Sequence, residues 1–272
     1  MNDDRISVLT LNLRFGLASN GSNSWRHRKR SFRPLFKKYR PDFIALQEVN
    51  NFQIDDLGQI LTEYTFIGKR TPAPSFWQNN IIFFKKNWRC IYHEHFFLSP
   101  TPHIPSRSRN SCWPRQCTIG TFNNHNHMII CVNTHFDFDV AVQIESARLI
   151  MERLSNQPSD QPIVLTGDFN SPPTSPGHMI FTGHDQNFLV KKPFFKNAFK
   201  APFQGTYHGF TGRLDGDHID WILYRGRIVP ENCTVIQDRF NGIYPSDHFP
   251  LYAQFSSSFY PCSPPADSNP GV

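Results

Sequence analysis

The chain has no apolar run of transmembrane length, no internal repeat and no long linker, and its six cysteines are not clustered with histidines at tetrahedral spacing. These absences argue against a helical membrane protein, a solenoid and a zinc-built site. The polar start Met1 to Arg5 runs directly into the first apolar stretch and leaves no room for a signal peptide's apolar segment. With Cys90, Cys112, Cys117, Cys131, Cys233 and Cys262 scattered and read as reduced thiols, the expected location is the cytoplasm. What is present is an excess of 28 Lys and Arg over 22 Asp and Glu, which favours an anionic partner such as nucleic acid or an anionic membrane surface. Much of that charge lies in Arg26, Arg28, Lys29, Arg30, Arg33, Lys37, Lys38 and Arg40. Trp25, Phe32, Leu35, Phe36 and Tyr39 recur among them at helical spacing, so the segment reads as the solvated face of a surface helix rather than a dedicated nucleic-acid patch.

The most informative stretch is Ile163 to Asn170, a short apolar strand ending on Asp168 and Asn170. Side chains alternate along an extended backbone, so the acid and the amide point the same way at a strand's carboxyl end. The pattern recurs. Ser7 to Leu13 delivers Asn12, Phe43 to Val49 delivers Glu48, and Met128 to Asp137 delivers Asn133, His135 and Asp137 at alternate positions. Near the carboxyl end, His218 to Leu223 and Ser246 to Leu251 supply Asp220, Asp247 and His248, read in the same way as strand exits. Glu and Asp oxygens with Asn carbonyls suit a hard cation such as Mg²⁺, which keeps waters and meets phosphate oxygens. Histidines among carboxylates move protons or touch an anionic phosphate. Metal-assisted hydrolysis of a phosphate ester uses all of these together.

Asn12, Gln47-Glu48, Asn133-Thr134-His135, Gly167-Asp168-Phe169-Asn170, Ile219-Asp220 and Ser246-Asp247-His248 stand in the order seen in the endonuclease/exonuclease/phosphatase superfamily, which the chain resembles from about Ile6 to Phe255. Its members include deoxyribonuclease I, abasic-site endonucleases, neutral sphingomyelinases, inositol-polyphosphate 5-phosphatases and deadenylases. The stretches Asn23 to Arg28, Trp113-Pro114-Arg115, Thr206 to Phe210 and Tyr244 to Pro250 are similar to a mostly bacterial branch of compact stand-alone hydrolases.

The resemblance implies Glu48 as principal metal ligand with Asn12 and Asp247 close by, and Mg²⁺, or Mn²⁺ in its place, as the cation. It implies that Asp168 and Asn170 place the attacking water and the scissile phosphate. His248 is implied as general base or phosphate contact, with Asp220 hydrogen-bonded to it, and His135 as the second catalytic histidine. Relatives often carry Arg shortly after the His135 segment, where this chain has Gln143.

Other residues keep two readings each. Arg115 is a bidentate phosphate contact or a surface ion pair; Asp137 bonds a neighbouring histidine or caps a loop. His208 lines the cleft or is a partly buried structural histidine. Trp25 reads as the first apolar residue of a helix.

Helices are expected at Trp25 to Tyr39, Phe52 to Glu63 and Val140 to Leu154. Strands are expected at Ile6 to Leu13, Phe43 to Leu46, Thr65 to Gly68, Asn80 to Lys85, Thr118 to Phe122, Met128 to Thr134, Ile163 to Thr166, His218 to Leu223, Thr234 to Gln237 and Phe249 to Phe255. More strands than helices, with few βαβ repeats, points to an α/β fold of two packed sheets covered by helices. The resemblance implies the same four-layer α/β/β/α sandwich, with the cleft at one edge of the paired mixed sheets. Thr71 to Gln78, Pro100 to Pro114 and Lys191 to Phe203 read as surface loops beside it, where substrate choice resides. A single domain is expected over residues 1–255, with a Ser- and Pro-rich disordered tail at 256–272.

The activity expected first is a Mg²⁺-dependent phosphodiesterase or nuclease, monomeric, with no obligate protein partner. Phosphomonoester or phospholipid hydrolysis, of a phosphoinositide or sphingomyelin, uses the same centre. A non-catalytic phosphate- or nucleic-acid-binding module would be expected to have lost one of Glu48, Asp168, Asn170, Asp220 or His248, and all five are present.

Overall fold

The computed structural model describes residues 5–124, 127–184 and 194–257. In chain order the elements are β1 (Arg5–Asn12), α1 (Trp25–Arg28), α2 (Phe32–Tyr39), β2 (Phe43–Val49), α3 (Asn51–Gly58), β3 (Tyr64–Ile67), β4 (Asn79–Lys85), β5 (Arg89–Phe97), β6 (Gln116–Asn124), β7 (His127–His135), α4 (Val140–Leu154), β8 (Ile163–Asp168), α5 (Pro176–Thr182), β9 (Lys196–Asn197), β10 (Asp220–Arg225), β11 (Ile228–Val235) and β12 (Leu251–Ser257). They form two six-stranded sheets, ordered β11-β12-β1-β2-β4-β3 and β5-β6-β7-β8-β10-β9. Each sheet is mixed, with β1 and β2 parallel in the first and β7 and β8 parallel in the second.

Three apolar layers separate the elements. Ile6, Val8 and Phe43 of the first sheet meet Cys131, Val164 and Ile222 of the second. Leu9, Leu11 and Ile44 on the opposite face of the first sheet pack against Trp25, Phe32, Leu35 and Leu57 of α1 to α3. Val132, Leu165 and Trp221 pack against Ala147, Ile150 and Phe181 of α4 and α5. Because both faces of each sheet are covered, the central strands read as nearly continuous apolar runs. The result is the four-layer α/β/β/α sandwich.

A polar lock fixes how the sheets sit on one another. Asn133 of β7 donates from Nδ2 to the carbonyls of Leu46 and Ile81, both at 2.9 Å, and accepts from Gln47 Nε2 at 2.7 Å. Gln47 also donates to Thr10 Oγ1 at 3.0 Å. Fully buried and bonded across the layer, these amides specify one relative placement of the sheets. Within the second sheet, β7 and β8 approach closely at Gly167, where a Cβ would lie 2.2 Å from the Thr134 carbonyl oxygen.

Several elements differ from the sequence reading. The helix expected over Trp25 to Tyr39 is interrupted by a 3-10 turn at Lys29–Ser31. Pro34, which has no N–H for the carbonyl of Arg30, instead sits in the first turn of α2, where that donor is not needed. β5, unforeseen, is an edge strand of the second sheet whose Arg89, Ile91, Tyr92 and His93 are exposed, so it lacks a clean apolar period. α5 and β9 were too short to register as periods. The strand expected at Thr234 to Gln237 begins earlier, at Ile228. The expected tail starts later than Ser256, since β12 runs to Ser257. The rest of that tail with Cys262, the start Met1 to Asp4 and Lys191 to Pro193 of the third loop lie outside the described residues.

Candidate active site

Strand parity and sheet register assemble the site. In β1 the even positions Ile6, Val8 and Thr10 face the second sheet, and so does Asn12. In β7, β8 and β10 the positions facing the first sheet end in His135, Asp168 and Asp220. These three are register neighbours, His135 beside Asp168 and Asp168 beside Asp220. β10 runs antiparallel to β8, so Asp220 stands at the start of its strand, not at an exit. Asp247 and His248 likewise precede β12, which runs antiparallel to β1. One edge of the sandwich therefore collects carboxyl ends of parallel strands and amino ends of antiparallel ones.

Glu48 breaks the parity rule. Phe43 and Gln47 of β2 face the second sheet, which would turn Glu48 toward the helices. The pairing of β2 with β4 shifts register between Leu46 and Val49, and Glu48 adopts φ +61°. That irregularity swings the carboxylate into the cleft, a common use of bulges beside active sites. Asn170, at φ +49°, is a second non-glycine residue held in the left-handed region here.

Around Asp168 the contacts are dense. Its Oδ2 accepts from Asn12 Nδ2 at 2.8 Å and its Oδ1 from the Asn170 N–H at 2.9 Å. His135 Nε2 lies 3.5 Å and His248 Nε2 3.8 Å from Oδ2. His248 Nδ1 is bonded to Asp220 Oδ2 at 2.9 Å. Asn170 Nδ2 donates to the Phe136 carbonyl at 2.8 Å and to His135 Nε2 at 3.1 Å. Glu48 accepts from Asn12 Nδ2 at 3.2 Å and from the Phe15 N–H at 2.6 Å. Asn12 Oδ1 is taken by the Arg14 N–H at 2.9 Å, so this residue presents its amide nitrogen, not its oxygen, to the two acids.

Burial and neighbouring charge separate the two histidines. His135 is held well below the usual histidine range by burial, with Arg115 and His248 adding to the effect, and is neutral. Burial also pulls His248 down, but Asp220 and Asp168 outweigh it and raise it to about 10, making it an imidazolium. Asp168 is pushed up to about 7 by burial and the nearby Asp220. Among the described residues, a carboxylate oxygen of Asp168, one of Asp220 and a ring nitrogen of His248 lie within 4.8 Å of one another, a grouping in which the imidazolium pairs with the acids.

The remaining candidates sort as follows. Arg115 is not on the surface: it is 7% exposed, lines the cleft, and its Nε lies 3.4 Å from Asp137 Oδ2. Among the described residues, Asp137 bonds no histidine. It orders the loops on either side of Arg115, accepting from Ser111 Oγ at 2.8 Å and the Phe138 N–H at 2.9 Å. His208 is not among the residues lining the cleft, and its ring is stacked on Phe249 with centroids 3.9 Å apart. Gln143 braces the site from behind, donating from Nε2 to the carbonyls of Asp137 at 2.7 Å and Asn170 at 3.3 Å. Trp25 is buried at the start of α1 and its indole N–H donates to Asp56 at 2.7 Å.

Two arginines escaped the sequence reading. Arg14 lines the cleft, with Nε 3.5 Å from Asp247 Oδ2, and its place just after the β1 exit was the available signal. Arg28, grouped above with surface cations, is 1% exposed. Its guanidinium donates to the carbonyls of Asn23 at 2.7 Å, Leu13 at 3.1 Å and Pro245, tying the segment after Asn12 to the one before Asp247. Burial lowers its pKa to about 10, which leaves it charged at neutral pH. Arg28→Met is expected to destabilise the fold by roughly 3 kcal/mol, because buried carbonyls lose charged donors. Urea denaturation checks this; an unchanged midpoint would contradict the assigned bonds.

The cleft encloses about 810 Å³ and is lined by Asn12, Glu48, His135, Asp168, Asn170 and His248 at its chemical end. The family model described as "Endonuclease/Exonuclease/phosphatase family" matches residues 9–248. Comparison with curated proteins by sequence gives no match. Among solved structures, the endonuclease/exonuclease/phosphatase from Bacteroides vulgatus is 24% identical with TM-score 0.83, the alignment covering 93% of this chain and 99% of that one. A mannosyl-6-phosphatase from Bacteroides thetaiotaomicron is 22% identical with TM-score 0.81, over 92% and 99% of the two chains. D. rerio TDP2, in complex with single strand DNA product, is 15% identical with TM-score 0.74, over 94% and 100%. At these identities the likeness establishes the fold.

Proposed function

The chain belongs to the endonuclease/exonuclease/phosphatase family of phosphoester hydrolases, and from that premise we propose that it is a Mg²⁺-dependent phosphodiesterase acting on nucleic acid. The observation that carries the reading is the convergence of Glu48, His135, Asp168, Asn170 and His248 on one cleft, with Asp220 bonded to His248 Nδ1. The net charge of +6 supports an anionic polymer as substrate.

The residues suit a hard divalent cation. Glu48 and Asp168 bring two carboxylates to one cleft, where they share the Asn12 amide donor, an oxygen-rich donor set of the kind such a cation takes. Glu48 would hold the cation; Asn12, whose oxygen is taken by the Arg14 N–H, and Asp247, which meets Arg14 and Ser246, do not present free ligand oxygens to it here. When bound, it would polarise the phosphoryl group and neutralise charge developing on it. Asp168 Oδ2 orients the attacking water and receives its proton, while the Asn170 backbone N–H holds Asp168 Oδ1 and its side-chain amide holds His135. His248, steadied through Nδ1 by Asp220, directs Nε2–H at a phosphate oxygen, and His135 faces the same space from β7. We place this activity in the cytoplasm and assign it to a monomer, with Mn²⁺ able to replace Mg²⁺.

Hydrolysis of duplex DNA, abasic-site DNA, single-stranded RNA and DNA, a hexose phosphate, a phosphoinositide and sphingomyelin, each with Mg²⁺ or EDTA, tests the reading. Metal-dependent cleavage of a nucleic acid is the expected outcome. Preference for the hexose phosphate would favour a phosphomonoesterase, a reading supported by the likeness to the mannosyl-6-phosphatase. Glu48→Gln is expected to raise the Mg²⁺ concentration for half-maximal rate roughly tenfold or more. An unchanged Mg²⁺ titration would remove Glu48 from the ligand set.

A further inference from the structure

Beside its chemical end the cleft carries large aromatic side chains left open to solvent. Phe76, Trp113, Phe138 and Tyr207 all line it and are 59%, 60%, 68% and 46% exposed. They come from separate segments: Phe76 from the loop before β4, Trp113 from the loop between β5 and β6, Phe138 from the turn into α4, and Tyr207 from the segment before β10. Each could have been buried or replaced by a polar residue if the wall only had to be soluble. Four connections that independently place a ring on one cleft indicate a surface kept for a flat ligand face. Tyr207 also touches the catalytic end, its ring centroid 5.1 Å from that of His248 in an edge arrangement.

We infer that this aromatic wall stacks an unpaired nucleobase next to the scissile phosphate, so that the substrate is single-stranded nucleic acid. This rests on the phosphodiesterase reading above. Bases in a duplex have their faces occupied by neighbours, whereas unpaired bases stack on aromatic rings whatever their identity. The phosphates on either side find Arg14 and Arg115, which line the same cleft. A sugar ring also has a flat face, but its hydroxyls need hydrogen-bond partners. The amides of Asn80 and Gln116 have little to give: Asn80 Nδ2 is spent on the Gln116 carbonyl at 2.8 Å, Gln116 Nε2 on the Gln78 carbonyl at 2.8 Å, and Gln116 Oε1 on His95. An acyl chain would not be matched by two arginines set among the rings.

The test is binding by the Asp168→Ala protein, followed by fluorescence anisotropy with a labelled single-stranded oligonucleotide, the same sequence as duplex, and hexose phosphate as competitor. Single strand is expected to bind more tightly than duplex. Adding Trp113→Ala should weaken it about 5- to 150-fold, the range for one stacked base, and Trp113→Phe should restore most of the loss. Because Trp113 is exposed, the substitution does not threaten the fold. Equal affinity for duplex, insensitivity to Trp113→Ala, or displacement by hexose phosphate at comparable concentration would each overturn the inference. Binding is read without turnover, so this result is separate from the hydrolysis panel, where silence on every substrate would strike the phosphodiesterase reading instead.

Discussion

Asp168→Ala is expected to lower kcat by roughly a thousandfold or more while leaving the fold in place. Asp168 is the residue on which both sheets converge: Asn12 reaches it from the first, while His135 and Asp220 flank it in the second. The same variant is expected to be more stable than the wild type in EDTA at pH 8. Burial and Asp220 raise the Asp168 carboxyl to about 7, so the folded protein holds its proton at a pH where the unfolded chain has released it. The contribution of this group to stability is therefore present at acid pH and declines as pH rises from the ordinary carboxylate value through about 7. Alanine abolishes that penalty, a trade of stability for function common in active sites. Steady-state kinetics with circular dichroism melts measure both effects. Near-native turnover would remove Asp168 from the centre of the mechanism, and a large fall in Tm would show that its role is structural.

His248→Ala is the second substitution expected to cost about a thousandfold, and the informative quantity is the double variant. His248 stands between two carboxylates, and its Nδ1 is committed to Asp220, so Nε2 is the atom free to meet substrate. If Asp168 and His248 act on one transition state as a unit, removing both costs little more than removing either. Rates of the two single variants and the double decide it: multiplied losses would mean that the residues act independently. Asp220→Asn, which keeps a hydrogen bond but discards the charge, should fall between wild type and His248→Ala.

Much of this site was legible because strand parity is a rigid rule. Asn12, His135, Asp168 and Asp220 each stand an even number of residues from an apolar neighbour facing the other sheet, so sequence alone could group them. Glu48 obeys the rule only after the irregularity between Leu46 and Val49, and nothing in FIALQEV announces that shift. The direction of the later strands was hidden too, since an acid at the start of an antiparallel strand and one at the end of a parallel strand look alike in sequence. Arg28 was misjudged for a different reason. Helical spacing shows which residues share a face but not which backbone carbonyls wait beneath them, and those come from Leu13 and Pro245, far away in sequence. The aromatic wall lies on loops without period, where composition marked the segments of Phe76 and Trp113 but not the turn carrying Phe138, and could not bring the three to one place.

The pairing of β1 with β12 joins residues at opposite ends of the described chain, Ile6 with Phe255 and Thr10 with Leu251. During synthesis β1 leaves the ribosome before β2 to β11, all of which precede its antiparallel neighbour β12. The second sheet, with all its strands between Arg89 and Arg225, has the means to form sooner. His135, Asp168 and Asp220 come from that second sheet, whereas His248 precedes β12 and depends on the long-range pairing of β1 with β12 to reach them.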